Sequence, residues 1–178
     1  CAFPVLRDCD FYAHFFVTAN RVGSKGYMDW RHLVELRGVG MDIGSHGLNH
    51  IVLTEQPESI IHKELAESKK ILEANLKTSI RTLSIPRGFY NQRVLALAKT
   101  VGYQTIFVSD KEDTETFTWG RIAVKGNWSL QRFQQAILGE MPWQEKGWGT
   151  IKNFAKQILG SKNYNNMRNT ILNKSSPK

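Results

Sequence analysis

The stretch GMDIGSHGLNH, residues 40–50, carries the strongest structural signal in the chain. A short apolar run followed by glycines is typical of a strand that ends in a turn. Two histidines, His46 and His50, follow this predicted strand at a spacing of four residues. Neutral imidazole is a common ligand of zinc and other divalent transition metals. The first hypothesis is therefore a metal site at the end of a strand.

Strand and helix patterns alternate on both sides of this stretch. Strands are predicted at residues 11–22, 41–45, 80–86, 103–109 and 117–124. Helices are predicted at residues 2–8, 29–40, 56–76, 92–102 and 129–138, and the helix at 56–76 has amphipathic spacing. Alternation with short connections indicates an α/β fold with a mostly parallel sheet, either open or closed into a barrel.

Polar loops follow three of the predicted strands. In parallel α/β folds the site lies at the carboxyl ends of the strands, so the two histidines, the loop at 86–91 and the loop at 109–113 should share one rim. Two imidazoles four residues apart face the same direction if their segment is a helical turn. A catalytic zinc has three protein ligands. On spacing alone, one packed histidine and one capping histidine explain the pair equally well.

Length and charge narrow the classes of function. The 178 residues support one domain. The net charge of +8 permits an anionic partner, which leaves a scaffold or anionic-surface binding module as an alternative. The basic residues form no tight run interleaved with aromatic residues, so nucleic acid is not expected as a partner. The chain has no run of 18 apolar residues and thus no expected transmembrane segment.

Several motifs in the same order resemble the polysaccharide deacetylase family, the NodB-homology domain. They are FPVL at 3–6, AHFFV at 13–17, GYMDW at 26–30, IGSHGLNHIVL at 43–53, LSIPRGFYN at 83–91 and GYQT at 102–105. The resemblance covers residues 3 to about 138. It implies a distorted (β/α) barrel. It also implies metal-dependent removal of acetyl groups, from nitrogen or oxygen, from a carbohydrate polymer.

The resemblance assigns roles to individual residues. His46 and His50 match the two metal-binding histidines of the family, for which zinc is the favoured ion, and the backbone amide of Arg87 matches a group that stabilises the oxyanion. Substrate contacts are predicted for four residues near these positions: Asn49, Pro86, Phe89 and Tyr90. The implied partner is an acetylated polysaccharide or oligosaccharide, and the implied location is extracytoplasmic or at the cell surface.

The chain also departs from the family pattern. In the family a metal-bound water is the nucleophile, and two adjacent aspartates at the end of the first strand supply the general base and the third metal ligand. That motif is expected just before Ala2. We therefore expect residues 1–140 to be a partial deacetylase domain lacking its first strand, followed by a helical basic extension at residues 141–178. Asp110 or Asp113 is an alternative third ligand.

Two further differences favour a second interpretation. The family has Ser or Thr after the first metal histidine, whereas this chain has Gly47. No histidine follows His62, so a late histidine that often acts as general acid in the family has no counterpart. The alternative is a catalytically inactive, carbohydrate-binding relative with the same fold.

Overall fold

A computed structural model describes residues 2–109 and 117–140. The helices are α1 (Ala2–Asp8), α2 (Trp30–Gly38), α3 (Glu58–Leu76), α4 (Gln92–Val101) and α5 (Leu130–Ile137). The strands are β1 (His14–Val17), β2 (Asp42–Ser45), β3 (Thr82–Ser84), β4 (Thr105–Val108) and β5 (Thr118–Gly120). The predicted extension at 141–178 lies outside the described residues.

The five described strands form one sheet in the order β1-β2-β3-β4-β5, and every pair is parallel. The register places Phe16 beside Gly44, Ser45 beside Leu83 and Ser84 beside Phe107. A sheet order that follows the chain order is typical of βα units with right-handed crossovers. The predicted α/β class with a parallel sheet is therefore confirmed. Within the described strands the sheet is open, and β1 and β5 are its two edges.

The helix boundaries follow from capping residues. The side chain of Asp29 accepts a hydrogen bond from the His32 amide, and the His32 ring accepts one from the Asp29 amide, so α2 begins with a capping box. The side chain of Asn91 accepts from the Val94 amide at the start of α4. Gly102 ends that helix with φ +95°, a conformation that glycine adopts at low cost.

The core lies between the sheet and the helices. Helix α3 supplies Ile61, Leu65 and Leu72, each fully buried, and the sheet supplies Leu83 and Ile106. These side chains repeat along α3 with helical periodicity, which explains why this segment forms the longest described helix. No helix in the described part of the chain is both long enough and apolar enough to cross a membrane.

All five strands are shorter than their sequence patterns indicate, and the two edge strands differ most from the prediction. The predicted strand at 11–22 pairs only over His14–Val17, because the chain turns at Thr18 into the 3-10 helix Ala19–Arg21. The predicted strand at 117–124 pairs only over Thr118–Gly120. The β-branched and aromatic content of these segments therefore overstated the strands, since pairing in the sheet decides where a strand ends.

Candidate active site

A cleft opens at the carboxyl ends of β1, β2 and β3. Its volume is about 870 Å³, and its lining includes His46, His50, Arg21, Tyr27 and Arg87. We call it the histidine cleft, and we call residues 46–50 the histidine loop. The prediction that the two histidines and the loop after β3 share one rim agrees with this arrangement. The loop at 109–113 lies almost entirely outside the described residues.

His46 is held from two sides. Its amide donates to the carbonyl of Val17 at the end of β1 (2.8 Å). Its ring Nδ1 lies 2.7 Å from the carbonyl oxygen of Ser84 at the end of β3. A carbonyl oxygen only accepts, so Nδ1 carries the proton and Nε2 keeps its lone pair. A histidine fixed in this tautomer by a backbone carbonyl is a suitable metal ligand through Nε2.

His50 reaches His46 through a loop and not through a helical turn. The two ring centroids are 4.9 Å apart, at an interplanar angle of 53°. His50 has φ +62°, in the left-handed region that residues with a Cβ rarely adopt. The expectation that the two rings face each other was conditional on a helical turn, and that local geometry is wrong. The rings meet across a loop that bends at Leu48 and Asn49 and has left-handed backbone at Gly47 and His50.

Contacts with the 3-10 helix that follows β1 fix the outer side of the histidine loop. The amides of Ala19 and Asn20 donate to the carbonyls of Gly47 and Leu48, each at 3.1 Å. The side-chain amide of Asn20 donates to Oδ1 of Asn49 (2.7 Å). The 3-10 helix after β1 therefore holds, beyond the paired strands, the loop that carries the two histidines.

Ser45 fixes the inner side of the loop and was not predicted as a site residue. Its hydroxyl is fully buried, accepts a hydrogen bond from the Gly47 amide (3.1 Å) and lies 3.0 Å from Oγ of Ser68 on α3. A buried hydroxyl needs hydrogen-bond partners. The bond from Gly47 holds the loop, and the contact with Ser68 ties the end of β2 to α3. Its position directly before His46 is the one feature of the sequence that could have identified Ser45 as a site residue.

Glu64 is a second residue that the sequence analysis missed. This α3 residue is only 4% exposed, and its carboxylate accepts hydrogen bonds from the Leu48 amide (3.2 Å) and the Asn49 amide (2.9 Å). It also accepts from the side-chain amide of Asn49 (2.6 Å). The available signal was an acidic residue within the apolar stripe of α3, beside Leu65. Such a charge is retained in a core only where donors surround it.

The environment keeps both imidazoles neutral. Burial lowers the pKa of His46 below its usual value, the bond to Ser84 opposes this, and the charges of His50 and Arg121 lower the pKa further. Burial also lowers the pKa of His50, followed by the charges of Arg87 and Arg21. Neutral imidazole is the form that binds a metal.

The predicted oxyanion and substrate residues lie at different depths. Arg87 is exposed on the cleft wall with φ +58°, whereas Pro86 before it is fully buried. Phe89 is 7% exposed, which leaves little of its ring for stacking on a sugar, whereas Tyr90 is half-buried and packs partly against the core. Neither of these two aromatic residues lines the cleft, where the aromatic residues are Phe16 and Tyr27.

Asn49 lines the cleft, but its amide already has protein partners. Its nitrogen donates to Glu64 and its oxygen accepts from Asn20. Its predicted contact with substrate stays a prediction.

Gly47 has a conformational reason to be glycine. It has φ +76°, and a Cβ built on it would lie 3.0 Å from Cγ of the buried Pro86. The hydroxyl that the family carries at this position is absent, and the Ser45 hydroxyl holds the loop instead. At Gly47 the histidine loop therefore packs closely against the loop after β3.

The described residues contain no group of three or more His, Cys, Asp or Glu side chains arranged to hold a metal ion. Both imidazoles fit a metal by donor type, His46 also fits by its tautomer, and together they supply two ligands. Asp110 and Asp113, the alternative third ligands, lie outside the described residues.

Comparison with known proteins agrees with this geometry. The polysaccharide deacetylase family profile matches residues 2–106. YxkH of Bacillus subtilis (strain 168) is 29% identical over 103 residues, covering 58% of this chain and 37% of YxkH. The peptidoglycan-N-acetylglucosamine deacetylase of Bacillus cereus is 29% identical over 109 residues, covering 61% of this chain and 49% of that protein. The chain thus spans less than half the length of these two curated relatives.

A solved structure shares the fold. The deacetylase PplD of Streptococcus pyogenes, in complex with acetate, matches with a TM-score of 0.71 at 24% identity, over 75% of this chain and 62% of that chain. At this identity the match establishes the fold. The family profile covers more than half of the 178 residues and includes both histidines of the cleft. The chain therefore belongs to the polysaccharide deacetylase family.

Proposed function

We propose that the intact protein hydrolyses acetyl amide or ester groups on a carbohydrate polymer, with His46 and His50 holding a divalent cation, for which zinc is favoured. The observation that carries the proposal is the pairing of these two rings, 4.9 Å apart, in a cleft of about 870 Å³. Membership of the polysaccharide deacetylase family supports the reaction class. The name of the Bacillus cereus relative makes an acetylated cell-wall glycan a suitable substrate, which would place the protein outside the cytoplasm or at the cell surface.

The residues of the cleft suit this chemistry. A bound divalent cation would polarise the carbonyl oxygen of the substrate. It would also lower the pKa of a water molecule bound to it to near neutrality. His46 is oriented for ligation because Ser84 accepts the proton on Nδ1. The third ligand and the general base belong outside the described residues, either at Asp110 or Asp113 or in the paired-aspartate motif that the family carries before the equivalent of Ala2.

The cleft wall has a group suited to the developing negative charge. Arg87 follows the buried Pro86 and lines the cleft. Its backbone amide would donate to the oxyanion of a tetrahedral intermediate, which is the kind of donor that acyl transfer requires. The left-handed backbone of Arg87 supports this role, since non-glycine residues in that region are concentrated at functional sites.

The test is zinc-dependent acetate release from acetylated glycans, measured on this chain and on the longest open reading frame that contains it. His46→Ala and His50→Ala should each abolish release and lower the zinc content. His62→Ala, which changes an exposed histidine on α3, is the matched control and should keep both. Undiminished release by the double variant, or in the presence of a chelator, would refute the metal role.

A catalytically inactive, glycan-binding relative is the second candidate. The observation that favours it is that only two metal ligands lie in the described part of the site, with Gly47 after the first of them. This candidate predicts that the intact protein binds acetylated oligosaccharide without releasing acetate, and that His46→Ala leaves the glycan affinity unchanged.

A further inference from the structure

The buried carboxylate of Glu64 stands out among the ionisable groups of the described chain. It is 4% exposed and forms no ion pair with a described residue. All three of its described partners are amide N–H groups, and all three belong to the histidine loop. A buried charge is costly unless charge-assisted hydrogen bonds replace its water, and these three do so. The helix therefore holds the loop through one carboxylate.

We propose that Glu64 is a positioning residue that sets the geometry of the His46–His50 pair. Two of its donors are the consecutive amides of Leu48 and Asn49, which lie midway between the two histidines. A shift of these amides would move His50 relative to His46, because His46 is fixed independently by the strand ends. This inference rests on the proposed function, in which the pair binds a metal.

The backbone conformation of the histidine loop explains why it needs the hydrogen bonds from Glu64. His50 has φ +62° and Gly47 has φ +76°, so the loop contains two left-handed residues within four positions. Left-handed backbone costs about 1–2 kcal/mol for a residue with a Cβ, and a short loop has few bonds of its own to offset that cost. Bonds from an immobile helix can maintain such a conformation before any ligand arrives. Glu64 supplies three of them from the core side.

The position of the acceptor, and not its charge, should matter for this role. Glu64→Gln keeps an oxygen within reach of the two backbone amides. The exposed side-chain amides of Asn49 and Asn20 can turn together, so that Asn49 accepts from the new amine and donates to Asn20. Glu64→Asp keeps the charge but withdraws the acceptor by about 1.5 Å, the length of one C–C bond. Bonds of 2.9 and 3.2 Å would then stretch beyond hydrogen-bond range. Comparing the two variants therefore separates the effect of the oxygen's position from the effect of the carboxylate's charge.

The experiment is a calorimetric titration of the full chain with zinc chloride, with folding checked by urea unfolding. We expect Glu64→Asp to weaken zinc binding by about 10- to 100-fold, the usual effect of removing a group that orients a metal ligand. Glu64→Gln should bind zinc nearly as well as the wild type. Glu67→Asp and Glu67→Gln make the same changes three residues away on α3 and should leave zinc affinity unchanged.

Several outcomes would overturn the positioning role. The first is wild-type zinc affinity in Glu64→Asp, and the second is an equal loss of affinity in both variants. The third is a larger loss in Glu64→Gln, which would show that zinc affinity depends on the charge of residue 64 and not on the position of its oxygen. If Glu64→Asp does not fold, Glu64→Gln still decides, since a tenfold loss there contradicts the proposal.

A wild-type chain that binds no zinc would contradict zinc binding by this chain on its own and not the role of Glu64. The metal-free chain then gives the answer by NMR. The rings of His46 and His50, 4.9 Å apart, should show a nuclear Overhauser contact that Glu64→Asp abolishes and Glu64→Gln retains. A contact of equal strength in all three proteins would overturn the proposal.

Discussion

Gly47→Ala should destabilise the protein more than an alanine at an equally left-handed but uncrowded glycine. Gly47 has φ +76°, and its new Cβ would lie 3.0 Å from Cγ of the buried Pro86. The left-handed backbone costs an L-residue about 1–2 kcal/mol. Crowding in a packed region adds about 1–3 kcal/mol, because a proline ring held in the core has little freedom to move. We expect a loss of about 2–5 kcal/mol in the free energy of unfolding.

The matched control is Gly40→Ala. Gly40 has φ +86°, and a Cβ there would meet nothing within 4 Å, so it carries the backbone cost alone. The assay is urea unfolding of the wild type and both variants, followed by circular dichroism and compared through the unfolding midpoint at constant slope. If Gly47→Ala costs no more than Gly40→Ala, the close packing of the histidine loop against Pro86 is refuted.

Three further predictions concern the same region. Gly44→Ala should cost about 3 kcal/mol of unfolding free energy in urea, because its Cβ would lie 2.5 Å from Oγ1 of Thr82 and 2.6 Å from the Phe16 ring. Ser45→Ala should cost about 1–3 kcal/mol in the same assay, since it leaves a buried amide without an acceptor, and a neutral result would contradict the bonds assigned to that hydroxyl. His46 and His50 should titrate below their usual pKa of 6.5 in metal-free protein, as followed by NMR. Because the unfolded chain binds these protons first, the free energy of unfolding should fall as the pH decreases through about 6.5, and normal titration of both rings would contradict the burial of the pair.

The order and class of the elements could be predicted because they depend on local patterns. The apolar periodicity of α3 is set by side chains such as Ile61 and Leu65 within one helix, and the structure places both in the core. The capping side chains of Asp29 and Ser129 act over only three residues, so the starts of α2 and α5 also depend on local sequence. Strand ends were predicted less well, because they depend on pairing with a neighbouring strand. The chain after Val17 turns away although its sequence continues to favour a strand.

The candidate site was predicted only where its residues are close in sequence. His46 and His50 were identifiable from their spacing and their position after a strand. Ser84, which fixes the tautomer of His46, is 38 residues away from it and contributes a backbone oxygen, which no residue pattern reveals. Glu64 acts across 15 or 16 residues through backbone amides of the loop. Contacts of this kind depend on how the helix packs against the sheet, so they could not be predicted from local sequence.

Under the proposed function, the way the loop is held would couple metal affinity to fold stability. Each imidazole of the pair is desolvated, and each has its pKa lowered by burial before a metal is bound. Much of the cost of assembling the ligands is therefore incurred during folding, through bonds from β1, β3 and α3. A preorganised site of this kind loses less conformational entropy on binding than a flexible loop does. Under the proposed role, a residue behind the cleft wall, such as Glu64, would control affinity without touching the metal.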